Sequence, residues 1–99
     1  MAFIQIVEFR TDKIDEMRAL DAEWAARANA EGATARRGIL CGDRDDPGRY
    51  FQIVFFDSHE DAETNSNLPV TQEFAQNMMA LGNGQPAFHN LDVVEDITY

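Results

Sequence analysis

The chain has 99 residues, 44% of them apolar, and sets eighteen acidic side chains against eight Lys and Arg, for a net charge of −10. That is enough for one domain over residues 1–99, burying roughly 60–65% of its unfolded surface. A surface this negative repels phosphate backbones and anionic lipid, which argues against nucleic acid or a membrane as partner, and the lone Cys41 excludes an internal disulfide.

The first element is Phe3-Ile4-Gln5-Ile6-Val7-Glu8-Phe9, a strand that is apolar on both sides. No basic segment precedes it and no run reaches the roughly 20 apolar residues of a membrane span, so the expected location is cytoplasmic. Asp12 offers a helix N-cap, and Asp15-Glu16 place acids where the helix dipole favours them. Ile14, Met17, Leu20, Trp24 and Ala28 then recur at three- and four-residue steps, predicting a one-sided helix ended near Gly32. Residues 33–41 read as a second strand. The polar turn Gly42–Gly48 joins it as a hairpin to Tyr50-Phe51-Gln52-Ile53-Val54-Phe55-Phe56, again apolar on both faces. Ser58-His59-Glu60-Asp61 resembles a capping box and predicts a short helix over 59–66. A kink at Asn67-Leu68-Pro69 and a further helix over 70–81, with Val70, Phe74, Met78 and Leu81 as its stripe, come next. Residues 87 to about 97 form the last strand.

Strand, helix, strand, strand, helix, strand is the order of a ferredoxin-like α+β fold, with a four-stranded antiparallel sheet and its helices on one side. The opposite sheet face is then bare. One grouping puts Phe3, Val7, Phe9, Phe51, Ile53, Phe55, Phe88 and Val94 there; the other puts Ile4, Ile6, Tyr50, Val54, Phe56, Leu91 and Val93 there. Either patch exceeds what soluble monomers expose, and a homodimer joined through its sheet faces is the natural closure.

The opening strand, the helix carrying Trp24, and Tyr50–Phe56 followed by Asp57-Ser58-His59-Glu60-Asp61-Ala62 together resemble the dimeric α/β-barrel superfamily, which includes antibiotic-biosynthesis and haem-degrading monooxygenases and stress-responsive barrel proteins. The resemblance spans the whole chain as a pattern and implies a ligand pocket between the sheet and the helices of each subunit. It also implies that no cofactor is needed, because an electron-rich phenolic substrate can itself activate oxygen. The Asn, Trp and His set of the haem degraders is not matched, since Trp24 lies on the first helix and the first strand has no Asn.

The residues themselves offer few chemical signatures. GxGxxG, P-loop, CxxC and HExxH motifs are absent, and His59, His89 and Cys41 lack metal-ligand spacing, so no cofactor and no metal is expected. Asp43, Asp45 and Asp46 read as a solvated turn rather than a calcium loop. His89 is a candidate general base toward a phenolic proton, or a histidine satisfied by the sheet. Trp24, Phe74 and Met78 wall an apolar pocket for an aromatic ligand or form plain core. Gln5 and Gln52 hold like positions in their strands and are expected side by side, bonded to each other or to a ligand. Of the neighbours Arg36 and Arg37, only one can face a pocket, where a guanidinium grips a carboxylate or phenolate; pairing with surface acids is the other use. Two functions are compatible with these residues. One is an enzyme like the cofactor-independent monooxygenases, with His89 as base and Trp24, Arg36, Gln52, Phe74 and Met78 around a hydrophobic aromatic substrate. The other is a non-catalytic binding or stress-related dimeric barrel protein.

Overall fold

Four strands make one antiparallel sheet in the computed structural model, which describes residues 2–99. They are β1 (Phe3–Arg10), β2 (Arg37–Gly42), β3 (Arg49–Phe56) and β4 (Ala87–Asp92), in the spatial order β2-β3-β1-β4. Between them run α1 (Ile14–Ala28), α2 (His59–Ser66) and α3 (Pro69–Leu81). The two strands that are apolar on both sides, β1 and β3, are the central pair, as their sequences require. This is a ferredoxin-like α+β fold whose second helical layer is split in two.

The register decides which face each residue serves. Phe3 lies opposite Phe56, Val7 opposite Gln52 and Phe9 opposite Tyr50. Each pair of partners joins an odd-numbered residue to an even-numbered one, so odd residues of β1 share a face with even residues of β3. Neither grouping expected from the sequence survives this: Phe3, Val7 and Phe9 sit with Tyr50, Val54 and Phe56, under the helices. The bare face carries Ile4, Ile6, Phe51, Ile53 and Phe55, with Ile39 from β2 and Leu91 from β4. The same register separates the two glutamines. Gln5 faces Val54, and its amide donates to Asn90 Oδ1 at 3.3 Å on β4 instead of meeting Gln52.

Two arginines cover part of the bare face. The Arg49 guanidinium lies 4.9 Å from the Phe51 ring centroid, and that of Arg37 lies 5.5 Å from the ring of Phe55. Arg49 also bonds Glu8 (Nη2–Oε2 3.0 Å) and Asp43 (3.3 Å). Among the described residues no helix covers the rest of this face.

On the helix side the core forms two groups. Phe3, Phe56 and Ala62 pack where α2 meets the sheet, and Val7, Phe9 and Met17 pack under α1 and α3. Helix α1 begins one residue later than the Asp12 cap predicts. Lys13 occupies the cap position without a side-chain bond, while Thr11 Oγ1 accepts from the Lys13 amide at 2.9 Å and donates to the Leu81 carbonyl at 2.8 Å. A threonine that ties β1 to the end of α3 thus replaces the expected aspartate. A single tight turn over Asn29–Glu31 follows α1 and stops at Gly32, whose φ of 87° suits glycine.

The second strand is shorter than expected at its start. The amide of Ala33 bonds the Ala28 carbonyl and Thr34 Oγ1 donates to the Asp61 carbonyl, so these residues serve the helices before pairing begins. The last strand ends at Asp92. Beyond it Val94, Ile97 and Tyr99 are exposed. Helix α2 keeps its predicted bounds, with Ser58 Oγ accepting from the Asp61 amide at 3.1 Å. Pro69 opens α3 at its first position, where a missing amide hydrogen costs nothing. Ser58→Ala removes the α2 cap and should cost about 1 kcal/mol, read as a Tm lowered by roughly 4–8 °C.

Candidate functional site

Helices α1 and α3 lie against each other over the β1–β3–β2 part of the sheet. Between them and the sheet is a narrow cleft, open to solvent, whose enclosed space is about 20 Å³, room for little more than one water molecule. Its walls are Phe9 from β1, Met17, Arg18 and Asp21 from α1, Leu40 from β2, Gln52 from β3, and Phe74 and Met78 from α3. The cleft exists because strand alternation puts Phe9, Leu40 and Gln52 on the helix side, and helical spacing puts Met17 with Asp21 and Phe74 with Met78. Its lining is apolar except for the Gln52 amide, the Asp21 carboxyl and the largely exposed Arg18.

Of the six residues singled out from the sequence, Gln52, Phe74 and Met78 meet here. Trp24 stands beside them, its ring 6.3 Å from that of Phe74, and lines a shallower groove toward Glu73 and Asn77. Its indole N–H donates to Thr71 Oγ1 at 2.9 Å. Together with the Arg27–Glu73 pair (2.9 Å), this bond ties α1 to α3. Arg36 is elsewhere: it precedes β2 and gives both Nε and Nη2 to Asp57 Oδ2, at 2.9 and 2.7 Å, on the surface. Its use is the ion pair with a surface acid.

His89 lies on the other side of the sheet. It pairs in register with Ile6 on the bare face, with Nε2 3.5 Å from Glu8 Oε1 and its side chain about half exposed. A molecule in the cleft is separated from it by the sheet itself. His59 is exposed at the start of α2, 3.6 Å from Glu63. Among the described residues no group of three or more His, Cys, Asp or Glu side chains is placed to hold a metal ion.

Two polar residues were missed in the sequence. Asp21 falls four residues after Met17 and three before Trp24, on the stripe that faces the sheet; an acid interrupting an apolar stripe was the available signal. Burial in the cleft wall raises its pKa, and no side chain among the described residues gives it a hydrogen bond or an ion pair. A carboxyl perturbed by desolvation in a cleft marks a candidate site. Glu73 moves the other way, lowered by the hydrogen bond from Arg27. Its contribution to stability is present above the ordinary Glu value and fades as pH falls. That of Asp21 is present below the ordinary Asp value and is lost as pH rises through its raised one. Asn65 of α2 is the second: it is buried, and its Oδ1 accepts no hydrogen bond. No sequence pattern marked it, because α2 has Ala62 as its only buried apolar residue.

A four-stranded antiparallel sheet with an apolar cleft under two helices defines the class of fold. No protein-family sequence model matches the chain, and no curated protein matches it in sequence. Solved structures match it in shape. SnoaB, a cofactor-independent oxygenase from Streptomyces nogalater, is 17% identical over 99% of this chain and 98% of that one, with a TM-score of 0.80. Rv0793 from Mycobacterium tuberculosis is 16% identical over 99% and 100%, with a TM-score of 0.78. A third, an antibiotic biosynthesis monooxygenase, is 17% identical over 96% and 100%, with a TM-score of 0.73. The structural neighbours are thus antibiotic-biosynthesis-monooxygenase-like proteins, the group its sequence pattern resembles, and the likeness is one of fold.

Proposed function

We propose that this chain binds a hydrophobic aromatic molecule in the cleft between α1, α3 and the sheet and oxygenates it without a cofactor, as a homodimer joined through its bare sheet faces. The observation that carries the reading is the lining of the cleft: five apolar walls, Phe9, Met17, Leu40, Phe74 and Met78, with Arg18, Asp21 and Gln52; at about 20 Å³ these walls must part to admit a ring. Aromatic rings gain from such walls, and Asp21 and Gln52 can orient a hydroxyl group. Dimer formation would bury Ile4, Ile6, Ile39, Phe51, Ile53, Phe55 and Leu91, an apolar face of the kind soluble monomers do not leave open. The likeness in fold to a cofactor-independent oxygenase supports the chemistry.

The reaction balances with dioxygen alone. A phenol loses its O–H proton and one ring hydrogen. One oxygen atom becomes the second carbonyl of a quinone and the other leaves as water, the ring supplying the electrons. The protein's part is to bind and orient the ring, exclude water and receive the phenolic proton.

Oxygen uptake with a panel of polycyclic phenols tests this, with one dioxygen consumed per quinone formed. Filling the cleft with Met78→Trp should lower kcat/KM by at least about tenfold, the loss of roughly one good apolar contact. His89→Ala, across the sheet, should leave it unchanged. Binding of these phenols without oxygen uptake would instead assign the non-catalytic alternative. The absence of a histidine among the cleft residues favours that second reading.

A further inference from the structure

Besides Arg18, the cleft has two polar side chains, and they are not equivalent. Gln52, on β3, can both donate and accept through its amide, whereas an ionised Asp21, on α1, can only accept. Asp21 has neither a cation nor a donor of its own among the described residues. Arg18, the one cation in the cleft wall, has its side chain 69% exposed and pairs along the helix with Asp15 at 3.7 Å. A charge so open to water is strongly screened, while that of Asp21, half-buried beside Phe9, Met17, Phe74 and Met78, is screened less. The field inside the cleft therefore has the sign of Asp21, and the chain's net charge of −10 adds to it.

Resting on the proposed reading of the cleft as an aromatic-binding site, we infer that Asp21 is its specificity residue: it accepts a hydrogen bond from a hydroxyl or ammonium group on the ligand and turns away aromatic ligands that carry a negative charge. A phenol offers each polar group its complement, an O–H for Asp21 to accept and an oxygen to accept from the Gln52 amide. A ring bearing a carboxylate, sulfate or phosphate meets a second negative charge in a partly dry site. The reacting molecule is then a neutral or cationic phenol, and acidic conjugates of the same ring are excluded. The burial that raises the Asp21 pKa makes this carboxyl a better proton acceptor than one in water.

Titration calorimetry on the full chain with a naphthol, its methoxy analogue and a naphthalenesulfonate reads this directly. The naphthol should bind at least about tenfold tighter than either of the others, the usual worth of a hydrogen bond to a charged group. Asp21→Asn should shrink the gap between naphthol and sulfonate by at least about fivefold, and Arg18→Gln should not shrink it. Asp21 has no partner to lose, so the variant should fold with a Tm no lower than the parent's, verified by circular dichroism. Tightest binding of the sulfonate, or an Asp21→Asn variant that keeps the parent's preference, overturns the inference while leaving the cleft as an aromatic site. Failure of all three probes to bind overturns both.

Discussion

An Ile53→Asp chain is expected to run as a monomer under conditions where the unaltered protein runs as a dimer. Ile53 is at the middle of the bare face, opposite Ile6 on one side and Ile39 on the other. Pressed against a second sheet, an aspartate there has an isoleucine on each side, and the nearest guanidiniums, of Arg37 and Arg49, are already engaged over Phe55 and Phe51. Burying an unpaired charge is among the most costly changes an interface can suffer. Association should weaken by at least about 30-fold, the threshold of an interface hot spot. In the isolated chain this position is only partly buried, so the fold itself should tolerate the change. Light scattering at micromolar concentration measures the first effect and circular dichroism the second. A monomeric mass for the unaltered protein would overturn the proposed dimer.

The largest loss of stability is expected at Phe56. It is 4% exposed, as is Phe3 opposite it, their rings are 6.5 Å apart, and Ala62 of α2 closes the group. Phe56→Ala leaves a void that the sheet backbone and a methyl-sized neighbour cannot fill. The cost should be about 3–5 kcal/mol, a large share of the roughly 5–15 kcal/mol typical of a whole domain. Urea unfolding should show a lower midpoint with an unchanged slope, and Tm should fall by more than about 12 °C. Substitution of Phe74, which is only partly buried, should cost less and act mainly on ligand binding.

The elements were legible because their signals are local. Two strands apolar on both sides had to be central, Ser58 had to cap the short helix after it, and Pro69 had to begin a helix rather than continue one. The faces were harder. Gln5 and Gln52 look equivalent when two strands are written in the same direction, and antiparallel pairing makes the third residue of one run meet the third from the end of the other. The aromatic residues were regrouped by the register, which pairs odd residues of one strand with even residues of the other. For the cleft, Gln52, Phe74 and Met78 were readable from apolar periodicity. Asp21 was passed over because acids on an acidic chain's helix are ordinarily solvated, and its stripe position was outweighed by its charge. His89 shows the limit of reading type without side: one residue along the strand, at Phe88 or Asn90, it would have stood on the helix side of the sheet.

The strand order has a consequence for how the molecule comes into being. Of the four strands β1 is synthesised first, but it needs one partner from mid-chain, β3, and another, β4, that is the last strand made. The Gln5–Asn90 bond spans 85 residues. Until Asp92 has been made, β1 has one open edge and its Phe3 and Val7 have no β4 neighbour. Closing so long a loop must precede the contacts that reward it, which slows folding relative to a helical bundle of the same size. Completion is therefore a late, concerted event, and a nascent chain stopped short of β4 presents a sticky half-sheet to whatever it meets.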